Sequence, residues 1–159
     1  MRKELLLHVS EILKSKKLTV STAESCTGGM LSSLITDISG SSTYFNRGII
    51  AYNNEAKIEL LGVKAETLRR WGAVSEQVAK EMAEGIKKQA ATDIGISTTG
   101  IAGPLGGSAE KPVGLVFVAG SYKGEVEVEK HKFESDRFGN KELACEAALE
   151  LILSIAKKL

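Results

Sequence analysis

The sequence is organised around residues 22–29, Thr-Ala-Glu-Ser-Cys-Thr-Gly-Gly, which connect an alternating, β-branched run to an apolar helical run. Residues 18–22 alternate as a half-buried strand does, and apolar residues recur at helical spacing after the two glycines. Those apolar residues are Met30, Leu31, Leu34, Ile35 and Ile38. The stretch therefore predicts a strand-to-helix turn with Ser25 at its centre.

Two interpretations of this turn are open. The first N–H groups of a helix have no partner within the helix, and Gly28 and Gly29 would let a ligand approach the backbone closely. Ser25 would then lie beside donors that stabilise an anion. The pair Ser21 and Glu24, and Thr27 before an apolar run, are also ordinary helix-capping signals.

The rest of the chain alternates between helical and strand patterns. Predicted helices cover residues 4–16, 27–37, 53–62, 65–71, 75–90 and 140–155, and predicted strands cover residues 18–22, 47–52, 93–99, 113–121 and 125–133. The last two strands form a hairpin, and Asn140 is the predicted cap of the final helix. We predict a single α/β domain over residues 1–159, a three-layer αβα sandwich whose mixed, mostly parallel sheet ends in an antiparallel hairpin.

Composition excludes several classes of protein. The 21 basic and 20 acidic residues give a net charge of +1, which argues against nucleic acid as the main partner. The apolar runs are far shorter than the roughly 20 residues that span a bilayer, and the first residues lack a signal peptide's apolar segment, so we expect a cytoplasmic protein without membrane contact. Cys26 and Cys145 are far apart in sequence and show no ligand spacing, so we expect neither a disulfide framework nor a metal site. We also expect no cofactor.

Polar residues follow three predicted strands at their carboxyl ends. In an open α/β sheet the ligand crevice lies beyond these ends, so the turns 22–29 and 99–107 are expected to face one crevice. The second strand adds Tyr52 and Lys57, which with Ser25 could supply a hydroxyl relay, a base and a nucleophile. Lysine acts as a base for serine only when neutral, which burial achieves by lowering its pKa. The spacing alone favours a solvated Lys57 in a helix.

Other candidates keep two interpretations each. The glycines of residues 100–107 could cradle a phosphate or allow a tight chain path, and the stretch matches no P-loop or dinucleotide fingerprint. Arg137 could clamp an anion, although a surface pair with Asp136 is the safer interpretation. Cys26 could be a thiolate nucleophile, but a small buried hydrophobic residue is favoured. The two histidines have no visible partner, which removes a Ser-His-Asp triad.

Six ordered blocks of the sequence resemble the CinA C-terminal domain family. The blocks are Thr-Ala-Glu-Ser-Cys-Thr-Gly-Gly (22–29), Gly-Ser-Ser-x-Tyr-Phe (40–45), Ala-Tyr-x-Asn-Glu-Ala-Lys (51–57), Gly-Ala-Val-Ser (72–75), Thr-Gly-Ile-Ala-Gly-Pro (99–104) and Glu-Lys-Pro-Val-Gly (110–114). The family contains nicotinamide mononucleotide (NMN) deamidases of the PncC type, which hydrolyse the carboxamide of NMN to nicotinate mononucleotide and ammonia without a metal. Some members carry this domain behind a molybdopterin-binding-like domain, and this chain resembles the stand-alone form.

The resemblance implies a role for individual residues. Ser25, Lys57 and Tyr52 match the family's catalytic serine, lysine and tyrosine. The implied ligand contacts are Ser42, Thr99, Gly100, Gly103 and Arg137, of which Arg137 suits the phosphate. We predict an amide hydrolase of the pyridine nucleotide cycle in NAD metabolism, in which Lys57 activates Ser25, with Tyr52 as a possible relay. The backbone of Cys26, Thr27 and Gly28 would bind the oxyanion. We also expect a homo-oligomer such as a dimer.

Two positions depart from the family pattern. Leu105 replaces a glycine that follows the proline in many relatives, and Ser135 replaces the glycine of their Gly-Asp-Arg. Either residue could alter the geometry of its loop and weaken substrate binding. The alternative function is therefore a non-catalytic module that binds a pyridine nucleotide or docks another protein.

Overall fold

The computed structural model describes residues 2–159, and Met1 lies outside the described residues. The chain folds into a five-stranded sheet between two layers of helices. The helices are α1 (Arg2–Lys16), α2 (Met30–Thr36), α3 (Asn54–Leu61), α4 (Ala65–Trp71), α5 (Glu76–Ala90) and α6 (Arg137–Lys158). The strands are β1 (Val20–Glu24), β2 (Phe45–Ile50), β3 (Ile94–Gly100), β4 (Leu115–Tyr122) and β5 (Glu125–Lys132), and a short 3₁₀ turn covers Ser41–Thr43.

The sheet has the strand order β2-β1-β3-β4-β5. Its first three strands are parallel, with Thr22 of β1 paired to Gly48 of β2 and Ile96 of β3. The other two pairings are antiparallel, and β4 and β5 form the predicted hairpin. The predicted α/β class and mixed sheet are confirmed. Within residues 2–159, every helix is too short or too polar to span a lipid bilayer.

Helices bury both faces of the sheet, as parallel strands require. Helices α1, α2 and α6 pack on one face, and α5 covers the other, with α3 and α4 packed against it. Because side chains alternate along a strand, neighbouring residues of β1 enter different layers. Val20 packs with the α1–α6 core, whereas Ala23 packs with the α5 core. The same alternation directs Glu24 towards α2 and Ser25 towards α3.

The predicted helix caps are partly confirmed. Asn53 and Ser75 accept hydrogen bonds from backbone N–H groups at the starts of α3 and α5. The prediction for Asn140 is wrong, because Asp136 caps α6 by accepting from the Gly139 N–H at 2.8 Å. Asn140 lies one turn inside the helix and is buried, where its side chain bonds the Ala102 carbonyl at 2.9 Å and the Ser135 N–H at 3.0 Å. It fastens the loop after β3 to α6.

Candidate active site

A cavity of about 220 Å³ lies at the carboxyl ends of the three parallel strands. Residues from all three strand ends, the α4–α5 connection and the start of α6 line it. They are Ser25, Cys26, Tyr52, Lys57, Ala73, Val74, Thr99, Gly100, Ala102 and Arg137. The crevice predicted from the strand order is therefore present.

Lys57 and Ser25 form a direct contact in this cavity. The Asn53 cap starts α3, and Lys57 lies in the first turn of that helix, so its side chain reaches back under the end of β2. The Lys57 Nζ atom donates to Ser25 Oγ at 3.0 Å, to the Ala51 carbonyl at 3.0 Å and to the Tyr52 carbonyl at 3.2 Å. Lys57 is only 1% exposed, so the interpretation as a solvated lysine is wrong.

The surroundings of Lys57 favour its neutral form. Burial lowers the pKa of Lys57, and the weaker influence of Cys26 opposes that shift. The three acceptors are a hydroxyl and two carbonyls, and none of the ion pairs found in residues 2–159 includes Lys57. A buried amine without a counter-ion is held close to a serine hydroxyl, which is the arrangement of a general base and its nucleophile.

The thiol of Cys26 is poorly suited to nucleophilic chemistry. Burial raises the pKa of Cys26 to about 12, and the nearby carboxylate of Glu24 adds to that shift. The thiol is therefore protonated at neutral pH, and the interpretation of Cys26 as a buried hydrophobic residue is confirmed.

The carboxylate of Glu24, the last residue of β1, lies against the start of α2. This carboxylate is fully buried and accepts from the N–H groups of Gly29 at 3.2 Å, Leu31 at 2.9 Å and Ser32 at 3.0 Å. It also accepts from the hydroxyls of Thr27 and Ser32, each at 2.6 Å. One of the two interpretations from the sequence was that the helical N–H groups face a ligand, but the carboxylate of Glu24 accepts from those of Gly29, Leu31 and Ser32.

Sequence reasoning missed this role of Glu24. It paired Glu24 with Ser21 as a capping signal, but both residues lie in β1, and the Ser21 hydroxyl contacts Thr92 at 2.7 Å on the opposite side of the sheet. The available signal was a carboxylate at the end of a buried strand, directly before a turn rich in hydrogen-bond donors.

The predicted oxyanion donors are only partly free. The Gly28 N–H donates to the Ser25 carbonyl at 3.1 Å, which closes the turn and removes this donor. Among residues 2–159, no acceptor is found for the N–H groups of Cys26 and Thr27. These two groups follow Ser25 directly and remain the candidate oxyanion donors.

Arg137 joins two sides of the cavity mouth. Its Nη1 atom donates to the Gly103 carbonyl at 2.7 Å, and its Nη2 atom donates to the Tyr52 hydroxyl at 3.1 Å. The surface pair with Asp136 is therefore wrong, since Asp136 caps α6. The Tyr52 hydroxyl contacts Arg137, and only the Tyr52 carbonyl contacts Lys57. The direct contact of Lys57 with Ser25 leaves no place for a hydroxyl relay in this arrangement.

The remaining predicted contacts differ in position. Thr99 lines the cavity, and its hydroxyl donates to the Ala73 carbonyl at 2.8 Å. Gly100 packs tightly on β4, because a Cβ atom there would lie 2.6 Å from a methyl carbon of Val116. Ser42 is exposed in the 3₁₀ turn before β2, at the amino end of that strand, so this chain does not bring it to the cavity.

The two departures from the family pattern lie outside the cavity lining. Leu105 is 84% exposed in the loop after β3. Ser135 packs on the first turn of α6, where its hydroxyl occupies the space that a side chain on Gly139 would need. Neither residue obstructs the contact between Lys57 and Ser25.

Other parts of the molecule offer less chemistry. A hollow of about 600 Å³ between α3 and α5 is lined mainly by charged and aliphatic residues and contains no nucleophile beside a base. In the described part of the chain, no group of three or more His, Cys, Asp or Glu side chains is arranged to hold a metal ion.

Comparison with known proteins gives consistent matches. The protein-family model for the CinA C-terminal domain matches residues 2–156 of the sequence. A CinA-like protein from Kosmotoga olearia is 52% identical over 144 residues, which are 91% of this chain and 35% of that protein. The chain thus spans about a third of the length of the curated relatives it matches.

Solved structures match over most of their length. A competence/damage inducible protein from Agrobacterium tumefaciens is 41% identical with a TM-score of 0.94, and the match covers 96% of this chain and 94% of that chain. A competence-damaged protein (CinA) superfamily protein from Klebsiella pneumoniae is 32% identical with a TM-score of 0.96, covering 100% of this chain and 99% of that chain.

Proposed function

The chain belongs to the CinA C-terminal domain family, and from that membership and its cavity we propose that it hydrolyses the carboxamide of NMN to nicotinate mononucleotide and ammonia. One observation carries the proposal, namely the 3.0 Å contact between the buried Lys57 Nζ and Ser25 Oγ. That distance lies within the roughly 2.6–3.2 Å that general-base catalysis requires.

The first half of the reaction forms an ester on Ser25. Neutral Lys57 takes the hydroxyl proton, and Ser25 Oγ attacks the carboxamide carbon. The negative charge that develops on the carbonyl oxygen is bound by the N–H groups of Cys26 and Thr27, where loss of one donor typically lowers the rate by about 10²–10³. The Lys57 ammonium then returns its proton to the amide nitrogen, the carbon–nitrogen bond breaks, and ammonia leaves.

The second half of the reaction releases the acid. Lys57 is neutral again and takes a proton from a water molecule, which attacks the ester carbon. The carbon–oxygen bond to Ser25 breaks, Ser25 Oγ recovers the proton through Lys57, and the carboxylic acid releases its own proton to solvent and leaves as a carboxylate. One water is consumed and one ammonia is formed, so the same amine serves both steps.

The size of the cavity suggests how a nucleotide would bind. Pockets for small ligands usually measure about 300–1,000 Å³, and this cavity of about 220 Å³ is smaller, so we place only the ring that carries the amide inside it. The ribose phosphate would then extend along the mouth past Tyr52 and Arg137. A guanidinium has five N–H donors, of which the Gly103 and Tyr52 contacts each use one, so Arg137 keeps donors for a phosphate.

The proposal is tested by incubating purified protein with NMN and measuring ammonia and nicotinate mononucleotide together. We expect turnover by the natural sequence and none above background by Ser25→Ala. Cys26→Ala removes a protonated thiol and keeps the backbone N–H, so its rate should stay far above that of Ser25→Ala.

Two outcomes would contradict the proposal. If Cys26→Ala were inactive and Ser25→Ala active, the nucleophile would be the thiol. If calorimetry showed NMN binding without release of ammonia, the chain would be the non-catalytic nucleotide-binding module.

A further inference from the structure

Glu24 is a fully buried carboxylate that the proposed reaction does not use. Five hydrogen bonds reach its two oxygens, three from backbone N–H groups at the start of α2 and two from hydroxyls. No lysine, arginine or histidine forms an ion pair with it in residues 2–159. Burying a charge is unfavourable unless its oxygens are hydrogen-bonded and dipoles oppose the charge, and the start of α2 meets both conditions.

The five bonds fix the turn that carries Ser25. Thr27 donates to Glu24 at 2.6 Å and also contacts the Thr98 hydroxyl of β3 at 2.7 Å, so the carboxylate is linked to the neighbouring strand. The backbone is held on both sides as well. The Ser25 N–H donates to the Thr98 carbonyl at 3.0 Å, and the Ala51 N–H donates to the Glu24 carbonyl at 2.8 Å.

The side chain of Glu24 lies on the face of the sheet opposite to the cavity that Ser25 lines. It points into the α2 layer, whereas Ser25 points into the cavity, and Glu24 does not line that cavity. Gly28 and Gly29 have φ angles of +58° and +99°, which fold the turn back so that the start of α2 meets the carboxylate. Removing the carboxylate would free this turn to shift, and Ser25 would shift with it.

We propose that Glu24 is a positioning residue whose carboxylate anchors the start of α2 and thereby holds Ser25 Oγ in reach of Lys57 Nζ. The proposal rests on the proposed function, since it assigns Glu24 a part in the activation of Ser25. A misplacement of about 1 Å in reacting groups can lower a rate by about 10², and the contact at stake is 3.0 Å long.

Glu24→Gln is the main test. It preserves the shape of the side chain but places an NH₂ group against N–H donors, so at least one backbone donor loses its acceptor. We expect kcat for NMN to fall by about 10- to 100-fold and KM to stay within about threefold, because Tyr52 and Arg137 lie on other elements. Glu24→Asp restores the charge but is one methylene shorter, so we expect it to remain impaired.

The control separates positioning from stability. Ile155 is fully buried in α6, away from the cavity. The control is whichever of Ile155→Val and Ile155→Ala has the melting temperature closer to that of Glu24→Gln. We expect the matched Ile155 variant to keep the natural kcat. An equal loss of kcat in both variants, or a loss confined to KM, would overturn the proposal.

The pH profile separates positioning from charge. A positioning role leaves the midpoint of the pH–rate profile close to that of the natural sequence, because the burial that lowers the pKa of Lys57 is kept. If Glu24 acted instead by its charge on Lys57, Glu24→Gln would move that midpoint to lower pH, and Glu24→Asp would restore it. That result would overturn the proposal.

A failure of the proposed function can be distinguished from a failure of the Glu24 proposal. If the natural sequence releases no ammonia from NMN, the labelling rate of Ser25 by a fluorophosphonate replaces kcat, and we expect about a 10-fold or greater loss in Glu24→Gln. Equal labelling of both proteins, or no labelling of either, would overturn the Glu24 proposal.

A second variant covers the case in which Glu24→Gln does not fold. Thr27→Val removes one hydrogen-bond donor to Glu24 and the link to Thr98, and we expect kcat to fall about 3- to 10-fold. An unchanged kcat would contradict the proposal.

Discussion

Replacement of Lys57 by methionine tests the proposed base. Methionine fills a similar volume without an amine, so Ser25 loses the amine that its hydroxyl contacts. Glu24 cannot substitute, because its oxygens are committed to the start of α2, and the histidines lie in α1 and β5. General-base catalysis typically contributes about 10²–10⁴ to a rate. With no substitute base in contact among residues 2–159, we expect a loss of kcat towards the upper end of that range.

The pH dependence follows from the burial of Lys57. An exposed lysine with a pKa near 10.4 is neutral in only about 1 of 2,500 molecules at pH 7, and each unit of lowering raises that fraction about tenfold. Burial lowers the pKa of Lys57, so a larger fraction of the protein holds a neutral amine at neutral pH. Because the proposed reaction requires the deprotonated amine, kcat/KM should rise with pH and level off above the Lys57 pKa.

The assay measures ammonia release from NMN between about pH 6 and pH 10. We expect a midpoint below the ordinary lysine value of about 10.4 and a residual, pH-independent rate in Lys57→Met. Lys80→Met is the matched control, because Lys80 is exposed on α5 and does not line the cavity, and it should reproduce the natural profile. The reasoning is refuted if Lys57→Met keeps the same pH-dependent limb, or if the midpoint is that of an exposed lysine.

Two further changes test the cavity mouth and the loop that borders it. Arg137→Lys replaces a fork that reaches both Gly103 and Tyr52 by a single ammonium, so we expect KM for NMN to rise about 10-fold with a smaller change in kcat; an unchanged KM would show that Arg137 does not contact substrate. Asn140→Ala leaves the Ala102 carbonyl and the Ser135 N–H without partners, so the free energy of unfolding measured with denaturant should fall by about 1–3 kcal/mol. The control Asn46→Ala changes an exposed residue, and its free energy of unfolding should fall by about 0.5 kcal/mol or less.

The sequence predicted features that depend on neighbouring residues. The strand and turn around Ser25, the Asn53 cap and the hairpin all follow from local alternation, helical spacing and turn chemistry. The proximity of Ser25 and Lys57 followed from one topological rule, that carboxyl ends of parallel strands share an edge. The structure confirms this contact, although spacing alone favoured a solvated lysine.

The predictions that failed depend on contacts between distant residues or on the path of a turn. The contact between Arg137 and Tyr52 joins residues 85 positions apart, and no local pattern encodes it. Helix α2 was expected to begin at Thr27, but the backbone passes through two glycines with positive φ before the helix starts at Met30. That later start is what brings the free N–H groups to Glu24. Asn140 was mistaken for a cap because its packing against the loop after β3 is visible only in three dimensions.

The central claim is that a neutral amine activates Ser25, and NMR of protein labelled with ¹³C at the lysine Cε atoms tests it most directly. The Lys57 signal is assigned by its loss in Lys57→Met, and the ordinary lysine pKa of about 10.4 is the reference. We predict that Lys57 titrates below that value, because burial lowers the pKa of Lys57. If Lys57 stayed charged up to about pH 10.4, the account would be contradicted.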